Sequence, residues 1–173
     1  IRLNTTSDGV NAWPNRKEKV FELIRKHSPD AFGVQEAAPE QMQDLAAALQ
    51  DYAYVGVGRD DGKQKGEYTA IFYKKSRLKI VKNDSFWLSE TPQIPGSIGW
   101  DAAITRMVTW AQVEDLQTKQ EFLLITTHFD HMGKVARVNS AIAIKNWLIQ
   151  TLAEKKVPAV VCGDFNFQPS EEP

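Results

Sequence analysis

Three apolar runs end in side chains suited to metal and phosphate chemistry. The first, Phe32-Gly33-Val34-Gln35-Glu36, ends in a carboxylate. The second, Leu124-Ile125-Thr126-Thr127-His128, ends in an imidazole. The third, Val160-Val161-Cys162-Gly163-Asp164-Phe165-Asn166, ends in an Asp-x-Asn pair. A hard cation such as Mg²⁺ takes oxygen ligands and keeps several waters, so one or two carboxylates plus a substrate phosphate suffice to hold it. Glu36 fits the part of such a ligand. Asp164 and Asn166 stand two apart on an extended segment and so point the same way. One can bind or orient a nucleophilic water while the other orients phosphate. His128 could donate to phosphoryl oxygens and stabilise charge in the transition state. Ligands in α/β architectures collect beyond the carboxyl ends of strands. We therefore expect Glu36, His128, Asp164 and Asn166 to converge on one solvent-open cleft.

Each of these residues also has a plainer reading. A Glu after a strand is commonly a solvated loop residue. Asp and Asn bond their local backbone, so the Asp-x-Asn pair could simply stabilise a turn. His128 could be a satisfied buried histidine, and the cluster His128, Asp130 and His131 also suggests a transition-metal site. His27 stands in no motif. Cys162, the one cysteine, lies in the apolar run Ala159–Cys162 and reads as a small buried hydrophobe.

Elements that would position these groups can be read from periodicity and punctuation. Asn15 followed by Glu18 reads as a capping pair for a helix with Val20, Leu23, Ile24 and His27 on one face. Pro29 follows that helix closely. Ala31–Gln35 is a short apolar strand. Pro39 opens a second helix with Met42, Leu45 and Leu49 inward. Tyr52–Val57 and Thr69–Tyr73 read as strands around a charged Asp60–Lys65 loop. Leu78–Val81, Met107–Val113 and Phe122–Thr127 continue the strand series, with a loop at Thr91–Gly99. A long helix over Val135–Ala153 shows Val138, Ile142, Leu148 and Leu152 at helical spacing, and Pro158–Cys162 is the last strand. Strands outnumber helices and several are consecutive, which favours an α+β layered sandwich over a plain doubly wound sheet. Two sheets packed face to face, with helices outside, accommodate that order.

Composition sets outer bounds. The 173 residues are 42% hydrophobic and 25% charged, enough for a sizeable core. No apolar run is long enough to span a membrane. The formal net charge is -1, whereas phosphate contacts give long nucleic acids an affinity for basic faces. Near neutrality therefore argues against long, non-specific DNA as the substrate, although a local patch or a metal could supply positive charge.

Taken in order, four segments resemble the endonuclease/exonuclease/phosphatase superfamily, whose fold is that of deoxyribonuclease I. They are Gly33-Val34-Gln35-Glu36, Gly66-Glu67-Tyr68-Thr69-Ala70-Ile71-Phe72-Tyr73, Thr127-His128-Phe129-Asp130-His131 and Gly163-Asp164-Phe165-Asn166. Further segments, Asn11–Arg16, Gly56–Gly62 and Phe86–Pro92, look like a bacterial subgroup of largely unassigned substrate. The resemblance implies an α/β four-layered sandwich with two mostly antiparallel sheets face to face. It implies hydrolysis of phosphate esters with Mg²⁺ or Mn²⁺, water attacking a phosphoryl group held by the ion. Carried over residue by residue, Glu36 is the metal-binding glutamate and His128 the phosphate-contacting histidine. Asp164 and Asn166 are the Asp-x-Asn pair, Asp164 activating or orienting the nucleophile and Asn166 stabilising phosphate. Glu67 resembles the acid that orients His128, a contact that would also favour the protonated ring. Arg106, after Ala103-Ile104-Thr105, resembles a phosphate-facing arginine.

The family's asparagine just before the Ile-Arg pair, and its closing aspartate and Asp-His pair, lie outside residues 1–173. We therefore expect a single domain over 1–173 trimmed at both ends, inactive in this span and active when longer. Candidate substrates are nucleic acid, a phosphorylated sugar or inositol, and a phospholipid headgroup. Trp87, Trp100 and Trp110 could stack on a base or sugar, or pack in the core. We expect a monomer, exported by a bacterium to the periplasm or medium. The rival class is a non-catalytic module that binds a phosphate ligand or nucleic acid in the same cleft.

Overall fold

Consecutive strands of this chain pair into two sheets, described for residues 1–167 by a computed structural model. A 3-10 turn at Thr6–Asn11 leads into α1 (Trp13–His27), then β1 (Ala31–Ala37) and α2 (Pro39–Ala48). Strands β2 (Tyr52–Gly58), β3 (Tyr68–Lys74), β4 (Leu78–Trp87), β5 (Met107–Asp115) and β6 (Glu121–His128) follow. Helix α3 (Lys134–Lys155) then crosses back to β7 (Ala159–Asp164). One sheet has the order β1-β3-β2, the other β4-β5-β6-β7. All neighbours are antiparallel except β6 and β7, because the α3 crossover returns the chain to run parallel.

Strand alternation sorts side chains into the layers. Tyr68, Ala70 and Phe72 of β3 face outward and pack with Trp13, Phe21, Met42 and Leu45, so α1 and α2 cover the first sheet. Val108 and Trp110 of β5, with Leu123 and Ile125 of β6, pack against Ile144 and Trp147 of α3 on the outer face of the second sheet. Ile71, Ala111 and Val113, with Val55 and Leu124, fill the space between the sheets. Helix, sheet, sheet and helix thus form the four layers expected. Gly33 lets the sheets approach closely, since a Cβ there would lie 2.6 Å from Thr126 Oγ1. Beside it, Gln35 Nε2 donates to Thr126 Oγ1 at 2.8 Å, joining the two sheets near the site.

Several local expectations need correction. Helix α1 starts at Trp13, with Pro14 in its first turn and Ala12 at the cap position, so Asn15 and Glu18 lie inside the helix and cap nothing. Its inward face is Trp13, Phe21 and the half-buried Val20 and Ile24, while Leu23 and His27 are exposed. In α3 the buried positions are Ala136, Ser140 and Ile144, and Ile142 is exposed. The apolar periodicity there was misleading because β-branched and leucine side chains occur on both faces. Cys162 is exposed rather than buried. It sits on β7, the outermost strand of its sheet among the described residues, alongside the exposed Val160 and Val161. Trp87 and Trp110 are buried, and Trp100 packs at the edge of the second core. Among the described residues, no helix is long and apolar enough to cross a membrane.

Candidate active site

Glu36 owes its position to a β-bulge. Val34 pairs with Ala70 and Ala37 with Tyr68, so Gln35 and Glu36 together oppose Thr69. Glu36 adopts φ 59°, a left-handed conformation that a glutamate rarely takes. Such strain in a strand is a signal of function read from an observed outlier. The bulge turns the carboxylate toward the strand ends, where Oε2 accepts the Leu3 N–H at 3.0 Å.

His128 ends β6 and Asp164 ends β7, and the parallel pairing sets these two residues side by side. One ligand atom each from Glu36, His128 and Asp164 lies within 4.8 Å of the others. His128 Nε2 is 3.9 Å from Asp164 Oδ2. The β6–β7 approach depends on Gly163: its φ is 152°, and a Cβ there would fall 2.1 Å from the Thr127 carbonyl oxygen. Asn166 turns the chain in a left-handed conformation, φ 46°. Its N–H donates to Asp164 Oδ1 at 3.0 Å, and its Nδ2 donates to the Phe129 carbonyl at 2.9 Å. The turn role of the Asp-x-Asn pair is therefore real, and it also fixes the Asp164 carboxylate beside His128.

A cleft of about 360 Å³ opens here, lined by Glu36, Glu67, Arg106, His128, His131 and Asn166 among others. Arg106 is buried, with Nε 3.4 Å from Asp130 Oδ2 and Nη2 3.1 Å from His131 Nδ1. Its Nη1 is buried, with no partner among the described residues. An orphaned buried guanidinium N–H is costly unless an acceptor reaches it. Asp130 holds this arginine and also the chain after β6. Its Oδ1 accepts the N–H groups of Met132 and Gly133 at 2.9 and 2.7 Å. Burial alone would raise the Asp130 carboxyl, but the N–H groups of Gly133, Met132 and Ala103 and the Arg106 guanidinium outweigh it and bring it down to about 2. Asp130→Ala would strand a buried arginine, and we expect it to destabilise the fold by about 3–5 kcal/mol in urea unfolding. A loss no larger than that of a surface substitution would show that the pair is not structural.

Two expectations for this cleft are overturned. Glu67 lines it but does not hold His128: its carboxylate takes a two-pronged bond from Arg59, at 2.7 and 3.0 Å. Arg59 lies eight residues earlier, just after β2, which is antiparallel to β3 and brings the fork into reach. The ring is also not favoured in its protonated form. Burial and the nearby Arg106 guanidinium push His128 from 6.5 down to about 4, against the opposing pull of Asp164 and Glu36. Its ring proton signals should therefore titrate well below pH 6.5 in ion-free protein. Because the unfolded ring binds a proton more tightly, His128's contribution to stability is present above pH 6.5 and is lost as pH falls from 6.5 toward 4. A titration midpoint near 6.5 by NMR would contradict this environment.

The transition-metal alternative also fails on geometry. Asp130 spends both oxygens on Met132, Gly133 and Arg106, and the described metal-sized cluster contains neither it nor His131. The metal-sized group among the described residues is instead Glu36, His128 and Asp164. Sequence reading missed Arg59, and it took His131 only as a metal ligand. Nothing in their residue types marks them, since each acts through a distant partner.

Comparison with known proteins bears on this site. Residues 4–173 match the profile described as "Endonuclease/Exonuclease/phosphatase family". An endonuclease/exonuclease/phosphatase of Bacteroides vulgatus is 42% identical, with a TM-score of 0.95 over 99% of this chain and 65% of its own. A mannosyl-6-phosphatase of Bacteroides thetaiotaomicron is 40% identical, with a TM-score of 0.95 over 99% of this chain and 64% of its own. The catalytic domain of human nocturnin shares the fold at 21% identity, with a TM-score of 0.76 over 99% of this chain and 64% of its own. This chain thus spans less than two thirds of each of these proteins.

Proposed function

The chain belongs to the endonuclease/exonuclease/phosphatase family, and on that premise we propose that the whole protein is a divalent-metal-dependent hydrolase of phosphate esters. The observation that carries this reading is the meeting of Glu36, His128 and Asp164, at the edge of a cleft that Glu36 and His128 line together with Arg106. Glu36 and Asp164 would hold the cation, Mg²⁺ or Mn²⁺, with the His128 ring at its edge. When bound, the ion neutralises phosphoryl charge and lowers the pKa of a coordinated water.

The protein's own groups do the rest. Asp164, its Oδ1 fixed by the Asn166 N–H, orients the attacking water and accepts its proton. The neutral His128 ring donates an N–H to a phosphoryl oxygen. Arg106 Nη1 donates to another oxygen and gains the acceptor that it lacks among the described residues. Asn166 retains one amide N–H for phosphate after bonding the Phe129 carbonyl. Glu67, which lines the cleft, is itself fixed by its two bonds from Arg59. Among nucleic acids, sugar phosphates and phospholipid headgroups, the likeness to a mannosyl-6-phosphatase supports a phosphorylated sugar first.

The test is a hydrolysis screen of the full-length protein with Mg²⁺ and Mn²⁺, across sugar phosphates, a phosphodiester dye, headgroup analogues and nucleic acids. Ion-dependent release of phosphate or alcohol is the expected result. Tight binding of a phosphate ligand without turnover of any ester would instead support a binding module.

A further inference from the structure

We propose that His131, with Arg106, takes a terminal phosphoryl oxygen and so selects phosphate monoesters over diesters; this rests on the phosphate-ester reading above. His131 lines the cleft with its side chain half exposed. Its Nδ1 lies 3.1 Å from Arg106 Nη2 and 4.0 Å from Asp130 Oδ2. Only the shorter contact is a hydrogen bond. A guanidinium has no acceptor, so Arg106 must donate and Nδ1 must accept. That fixes the neutral tautomer with its proton on Nε2. Among the described residues no group accepts from Nε2, so this N–H is free for a ligand on a ring that borders the cleft.

Arg106 cannot turn away to find another partner. Asp130 grips its Nε and is itself tied to the Met132 and Gly133 N–H groups. Arg106 lines the cleft, and its buried Nη1 has no partner among the described residues. Arg106 Nη1 and His131 Nε2 are therefore two donors, preorganised through one carboxylate, awaiting an oxygen with several lone pairs.

The count of oxygens sets the substrate class. A diester has two terminal phosphoryl oxygens, which the cation side of the cleft and His128 can serve. A monoester dianion has a third terminal oxygen and a second negative charge. Beside two carboxylates, Glu36 and Asp164, that extra charge needs a fixed cationic donor. The Arg106–His131 pair supplies it. In a diester the same place would be filled by an ester oxygen and its carbon, which accept weakly and crowd the pair.

The full-length Mg²⁺-loaded protein and its His131→Phe and His131→Gln variants should be titrated calorimetrically with inorganic phosphate and with dimethyl phosphate. A lost hydrogen bond to a charged group should weaken inorganic phosphate binding about 10–100-fold in His131→Phe, with dimethyl phosphate little changed. His131→Gln can accept from Arg106 through Oε1 and donate through Nε2, so it should restore most of the loss. The kinetic counterpart is a fall in kcat/KM for p-nitrophenyl phosphate without a matching fall for bis(p-nitrophenyl) phosphate. Equal losses for both anions, no loss for either, or no rescue by glutamine would overturn the proposal. If the discrimination is seen but no ester is hydrolysed, the enzymatic reading fails while this one stands. If esters are hydrolysed with His131 indifferent, the reverse holds.

Discussion

Replacing Asp164 with alanine is expected to lower the turnover of the full-length protein about 10²–10⁴-fold on whichever phosphate ester it hydrolyses. Asp164 is the carboxylate best placed to orient water. It ends β7 in an exposed position, so its second oxygen is open to a ligand while Oδ1 is held by the Asn166 N–H. Its Oδ2 lies 3.9 Å from His128 Nε2. Because the group is solvated, removing it should cost little stability, so the melting temperature should stay near that of the parent. The measurement is kcat at saturating ion and substrate, beside a thermal melt. Unchanged turnover with an unchanged melt would exclude Asp164 from the chemistry. A collapse of the melt would instead assign it to the turn that Asn166 closes.

The second large effect concerns the ion. Glu36→Gln should weaken Mg²⁺ or Mn²⁺ binding by more than about 100-fold, since even loss of a supporting partner of a metal ligand costs 10–100-fold. Glutamine keeps the size and an acceptor oxygen, and it can still accept the Leu3 N–H. What it removes is the negative charge, and charge count sets the affinity of oxygen sites for hard cations. Titration of Mn²⁺ by paramagnetic relaxation reads this directly and needs no turnover. An unaltered Mn²⁺ isotherm would move the ion elsewhere. Partial recovery of activity at high ion concentration in the variant would strengthen the assignment.

The layered fold was legible because its signals are local. Each strand carries its own alternation or apolar run, and Pro39 marks the second helix where it begins. Ends were less so: α1 starts with Trp13, whose buried ring and Nε1–H bond to Asp44 override the Asn15–Glu18 capping pattern. The cluster of Glu36, His128 and Asp164 could be anticipated because all three follow apolar strands, and strand pairing brings strand ends together. What could not be read were partners set by pairing of distant segments. Glu67 lines the same cleft as the His128 imidazole, and only the β2–β3 register decides that Arg59 takes it. Likewise the His128 pKa depends on burial and on Arg106, which is 22 positions earlier in the chain. Gln41 is another case: it is fully buried, and it binds the Asn4 N–H, the Ala38 N–H and the Arg2 carbonyl, which sets the N-terminal segment beside the cleft.

The extra residue in β1 has a consequence for how this site tolerates change. Val34 and Ala37 both face the first core, although three positions separate them, which a regular strand forbids. The chain is thus half a period out of phase across Gln35 and Glu36. A substitution at either position alters one side chain and leaves the frame intact. Losing one residue would restore regular alternation with Val34 and Ala37 still on the core face, but it would remove either the Gln35 bond to Thr126 or the left-handed residue, Glu36, that turns the carboxylate toward the strand ends. Length, rather than identity, is the more constrained property of this segment, and the chemistry at the strand's end depends on a count of residues that no single side chain records.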